Sequence, residues 1–159
     1  MTTQQKQYID NSLIKSLKDP LIISGFILAP IFWLMLYFVS PPVDDRTWLL
    51  FAPIWYLKLV FIFPILEEMV FRGLVQTTIL GFLRKIKLGP LTLSNIVASF
   101  AYFSFNAMNN IPMWVGVILI PSLYFGYLKD KYHTLKQPIL MHAYFNAGFF
   151  LIFPPVSIL

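Results

Sequence analysis

Residues 66–72 read LEEMVFR, which places two adjacent glutamates and an arginine inside an otherwise apolar run. On a helix, Glu68 and Arg72 are i,i+4 neighbours and face each other. A charge-assisted pair is the cheapest way to keep either ionised in apolar surroundings. Glu67 lies about 100° round the helix, where it shares that arginine less easily. The spacing therefore suggests Glu68 as the structural partner of Arg72 and Glu67 as a less compensated carboxylate. A carboxylate of that kind is a natural general base toward water. The same three residues also suit a plain ion cluster that fixes helix register, and spacing alone leaves both readings open.

The last apolar segment carries a second pair. In PILMHAYFN, His142 and Asn146 are again i,i+4 and project from one face. Two such donors can stabilise a single oxyanion, although a histidine on an apolar helix is also a common hydrogen-bonded packing residue. A third polar residue, Asn106, ends the aromatic run SFAYFSFN, four residues after Tyr102. An asparagine there can also cross-link helices. Lys58, near Trp55 and Phe61, suits snorkelling. Gly73, Gly116 and Gly126 suit close helix packing.

The elements that must position these groups are membrane segments. The chain has 159 residues, 58% hydrophobic, 18% aromatic and 12% charged. A soluble domain is about 45–50% apolar and about 25% charged, so the lipid bilayer is the expected solvent. The absence of cysteine excludes disulfide and thiolate chemistry. The net charge of +5 reads as membrane topology rather than nucleic-acid binding. No signal peptide is expected, because the first apolar run, 21–40, is too long and lacks a cleavage site.

Residues 1–19 form a polar leader, and 20–46 an extra transmembrane helix followed by the PPVDDR turn. Residues 47–154 form the core. Within it, 47–83 is one long element kinked at Pro64, RKIKLGP (84–90) and KDKYHTLK (129–136) are basic connectors, and NNIP (109–112) is a turn. With one crossing for 47–83, Lys6, Lys15, Lys18, Arg84, Lys85, Lys87, Lys129, Lys131 and Lys136 share one side against Arg46. Positive charge favours the cytoplasmic side. The expectation is an all-α, polytopic transmembrane bundle of about five segments, with the N-terminus cytoplasmic.

Taken in order, the motifs resemble the CPBP family, the CAAX-protease and bacteriocin-processing (Abi) intramembrane proteases. The family pattern is EExxxR, then FxxxH, then HxxxN. Here Glu67-Glu68-Met69-Val70-Phe71-Arg72 is followed by Gly73, and His142-Ala143-Tyr144-Phe145-Asn146 follows PIL about 70 residues later. The resemblance covers roughly residues 50–150 and implies a four-helix core. At the second motif, Tyr102 and Asn106 stand where the family has Phe and His, and asparagine cannot take up a proton.

The resemblance implies a glutamate-type intramembrane endopeptidase. Glu67 would activate water, Asn106 would orient it, and His142 and Asn146 would stabilise the oxyanion. Glu68 and Arg72 would hold the site's shape. Neither metal nor other cofactor is expected, since the chain has no HExxH and a poor zinc donor set. The substrates implied are membrane-anchored proteins or peptides, cut at leaders or at C-terminal sorting or CAAX-type tails. The compact chain favours a prokaryotic plasma membrane. The alternative is a non-catalytic membrane partner or immunity protein that keeps the fold. A transporter, with polar residues along a continuous path, fits the clustering least well.

Overall fold

The computed structural model describes residues 14–39, 48–108 and 118–154. The expected turns at 41–46 and 109–112, Gly116, most of the leader and the start of the segment before the second basic connector lie outside them. The described chain is predominantly helical, in keeping with an all-α fold.

Helix α1 (Pro20–Val39) is apolar all round. Among the described residues it contains the one stretch, Pro20–Phe38, long and apolar enough to cross a bilayer by length and composition. Three later helices, α5 (Leu93–Ala107), α6 (Leu119–Tyr132) and α7 (Lys136–Ile152), run for 15, 14 and 17 residues. A perpendicular crossing takes about 20.

The long element between α1 and α5 is not a simple kinked helix. Short α2 (Trp48–Phe51) and α3 (Pro53–Leu57) lead into a π-helical turn, π1 (Lys58–Ile62), then α4 (Phe63–Glu68), then a longer π-helix, π2 (Met69–Ile79). Proline lacks an N–H and its ring crowds the carbonyl four residues back. The wide turn of π1, in which the Phe63 N–H reaches the Lys58 carbonyl, accommodates Pro64 without breaking the run. In π2 the threonine hydroxyls join in: Thr77 donates to the Arg72 carbonyl at 2.6 Å and Thr78 to the Gly73 carbonyl at 3.3 Å.

The first basic connector folds into a 3-10 turn (Gly81–Lys85) and a small hairpin of β1 (Lys87–Leu88) and β2 (Leu91–Thr92). Gly89, at φ 63°, opens its two-residue turn, a position that favours glycine. Thr92 then caps α5 by accepting from the Asn95 N–H at 3.1 Å.

Helix α5 packs against α6 and π2, and α7 packs against α6, π1 and α4, closing a core on whose α7 side α1 lies. The core between α1, α6 and α7 contains Ile22, Ala29, Phe125, Leu128, Met141 and Phe145. Close approach is permitted where a side chain is missing. A Cβ on Gly126 would collide with Asn95, and one on Gly148 with Trp33.

Helices are also latched by side chains donating to carbonyls of a neighbouring element. Trp33 Nε1 reaches Phe145 O at 3.0 Å, Tyr124 Oη reaches Leu21 O at 2.9 Å and Tyr56 Oη reaches Ala147 O at 3.1 Å. Gln76 Nε2 reaches Gly126 O and Asn95 Nδ2 reaches Leu123 O, each at 3.0 Å.

One end of the bundle gathers the connectors. Lys131 Nζ lies 2.8 Å from Asp19 Oδ2, and Gln137 Nε2 donates to Ser16 at 3.1 Å. Arg84 Nε lies 3.5 Å from Asp130 Oδ1, and Thr92 donates to Asp130 Oδ2 at 2.6 Å. The Lys131 ammonium, with help from the Leu21 N–H, holds the Asp19 carboxyl down at about 2.

Candidate active site

Arg72 is the hub of a buried polar cluster. Its guanidinium is 1% exposed, in a position that only partners make affordable. Its Nε faces Glu68 Oε2 at 3.3 Å as an ion pair. Nη1 donates to Ser99 of α5 at 3.1 Å and to Gln76 at 3.4 Å. Nη2 donates to both the carbonyl and the hydroxyl of Ser122 in α6, each at 2.6 Å. One side chain on π2 thus ties together three elements, and Asn95 extends the network by accepting from Ser99 at 3.1 Å.

Glu68 continues the chain toward α7. Its Oε1 lies 2.9 Å from His142 Nδ1, and the other ring nitrogen, Nε2, lies 3.4 Å from Glu67 Oε2. His142 therefore bridges the two adjacent glutamates. Its ring is clamped by Phe125, stacked at 5.0 Å and 21°, and meets Tyr102 edge-on at 6.0 Å. The two carboxylates differ in access: the Glu68 side chain is 3% exposed and that of Glu67 is 24% exposed. Glu67 also accepts a hydrogen bond from Tyr102 Oη at 3.2 Å, on the same Oε2 that faces His142.

The structure thus brings Glu67, Glu68, Arg72 and His142 together from the EEMVFR run and the last helix. Asn106 and Asn146 lie nearby but turn elsewhere. Asn106 donates to the Tyr102 carbonyl of its own helix at 2.9 Å, and Asn146 donates to the Leu59 carbonyl of π1 at 3.0 Å. On α5, Asn106 sits one turn beyond Tyr102, and it is Tyr102 whose ring meets that of His142.

Sequence reasoning did not single out Tyr102, Gln76, Ser99 or Ser122 as site residues. Gln76 carried a signal, since Glu68, Arg72 and Gln76 form a polar stripe at intervals of four. The serines carried none, because a lone serine in an apolar helix ordinarily satisfies its own backbone. Among the described residues, no group of three His, Cys, Asp or Glu side chains could hold a metal ion. His142 has both ring nitrogens engaged by carboxylates.

The geometry is that of a helical core with a partly exposed carboxylate braced over a buried ion pair. The family described as type II CAAX prenyl endopeptidase Rce1-like matches residues 27–148, and this chain belongs to it. The match spans both charged motifs and begins inside α1, earlier than the stretch of resemblance visible in the sequence. No curated protein and no solved structure matches the chain significantly. Membership places the chain in a family of membrane-embedded CAAX-type proteases.

Proposed function

We propose that the protein is a glutamate-type intramembrane endopeptidase acting on membrane-anchored polypeptides, with leaders or C-terminal sorting or CAAX-type tails as substrates. The observation that carries this reading is Glu67: a partly exposed carboxylate, held by Tyr102 and His142, standing over the buried Glu68–Arg72 pair.

In the proposed reaction Glu67 removes a proton from a water molecule, whose oxygen attacks the carbonyl carbon of the scissile peptide bond. The oxyanion that forms takes hydrogen bonds from His142 Nε2–H and from the second N–H of the Asn146 amide. Asn106, from one turn further along α5, orients the water. The tetrahedral intermediate then collapses. The C–N bond breaks, and the proton held on Glu67 passes to the departing amine. Glu68 fixes the His142 ring through Nδ1, and Arg72 fixes Glu68.

In this reading the bundle crosses the membrane five times, N-terminus cytoplasmic, in a prokaryotic plasma membrane. The gathering of Asp19, Arg84, Asp130 and Lys131 at one end supports it, since these residues come from the leader and the two basic connectors, which five crossings leave on the same side.

Glu67→Gln tests the chemistry. The wild type and this nearly isosteric variant are expressed at equal membrane levels in a host lacking the gene, and protein termini in the membrane fraction are mapped by mass spectrometry. New termini that appear with the wild type alone are the expected result. Identical termini would overturn the peptidase reading. They would instead favour a non-catalytic membrane partner or immunity protein, a role suited to a cluster in which Glu68, Arg72 and His142 already pair with one another.

A further inference from the structure

Tyr102 lies in an aromatic run, and its ring does what a phenylalanine would do there. It packs edge-on to Phe71 at 5.1 Å and to His142 at 6.0 Å. Its hydroxyl is not needed for that packing. A phenol 8% exposed needs a partner for its O–H, and the partner is Glu67 Oε2 at 3.2 Å. His142 Nε2 faces the same oxygen. Among the described residues, Glu67 Oε1 takes no hydrogen bond.

The two oxygens of Glu67 are therefore unequal. One is braced from α5 and α7 together, and the other is left for a water molecule. Asn106 does not supply the brace: its Nδ2 donates to the Tyr102 carbonyl, not to Glu67.

Resting on the peptidase reading above, we propose that Tyr102 is a positioning residue for Glu67: its hydroxyl fixes Oε2 so that Oε1 meets the attacking water. Tyr102 does not touch the substrate. It sets the orientation of the base from a third helix, and with His142 it prevents the carboxylate from rotating about its last bond.

The test uses Tyr102→Phe, which keeps the ring and removes only the hydroxyl, in the full chain reconstituted into phosphatidylcholine vesicles. The carboxylate stretch of Glu67 is assigned by infrared difference spectroscopy as the band lost in Glu67→Gln. It is expected to shift in Tyr102→Phe without any substrate present. Cleavage of the substrate found by terminus mapping is then followed. The expected result is a kcat lower by roughly 10- to 100-fold, the worth of one hydrogen bond to a charged group, with KM within about two-fold because no substrate contact is removed.

Tyr144→Phe is the control. It removes a hydroxyl that latches α7 to the Phe26 carbonyl of α1 at 3.4 Å, and it should leave both the band and kcat as in the wild type. An unmoved Glu67 band in Tyr102→Phe would overturn the proposal. So would a shifted band with unchanged kcat, or a fall in kcat matched by Tyr144→Phe. A shifted band in a protein without Glu67-dependent cleavage would overturn the peptidase reading, and the positioning role with it, while leaving the hydrogen bond established.

Discussion

Arg72 shows how one residue can be indispensable without touching a substrate. It is buried, and its donors are spread over Glu68, Gln76, Ser99 and Ser122. Arg72→Met removes the guanidinium and leaves the buried Glu68 carboxylate with His142 as its one remaining charged-type partner among the described residues. A loss of about 3–5 kcal/mol is expected, measured as unfolding in detergent. Arg72→Lys should recover little of it, because one ammonium cannot span partners that the planar fork reaches together. Glu68 and Arg72 were legible as a pair because helical spacing of four is a strong geometric constraint. The Glu67–Tyr102 contact was not legible, because it depends on the depth at which α5 passes α4, which no local pattern encodes.

At the scale of elements, the sequence shows where apolar runs lie but not how the chain winds within them. The 47–83 run reads as one kinked helix, yet the structure resolves its described part into alternating α and π turns. Hydrophobic periodicity cannot separate 3.6 from wider winding when nearly every residue is apolar. The hairpin at Lys87–Thr92 was hidden inside a stretch that reads as a charged connector, although its Gly-Pro turn is a recognisable break. Glycine at 126 was legible as a packing residue, and the structure gives it a specific neighbour. Gly126→Ala is expected to push α6 away from Asn95 of α5 and to lower stability by about 1–3 kcal/mol, the usual range for overpacking. Thermal unfolding of the purified variant checks this. Gly81→Ala, where a Cβ meets nothing within 4 Å, is the matched control.

For the molecule as a whole, charge and the bilayer divide the labour. The absence of cysteine makes single-cysteine labelling direct: Lys87→Cys is expected to react from the cytoplasmic face and Pro154→Cys from the opposite one. Labelling of both from the same side would remove the five-crossing arrangement. The docking of α1 has its own pH dependence. Lys131 depresses the Asp19 carboxyl to about 2, below the usual carboxylate value of about 3.9. Its stabilisation is therefore complete above about pH 4 and is lost as pH falls through about 2. Hydrogen exchange at residues 20–24 should rise across that window, and less so in Lys131→Met, which is already loosened at neutral pH. The carbonyl latches between helices have one further consequence. A main-chain acceptor survives every substitution except one that shifts the backbone, so Phe145, Leu21, Ala147 and Leu123 keep their carbonyls as acceptors under any substitution that leaves the backbone in place. Half of each latch is thus beyond the reach of mutation. The acceptor positions are free to drift in lineages that keep the donors, which lets a chain of this architecture wander far in sequence while its helices stay in register.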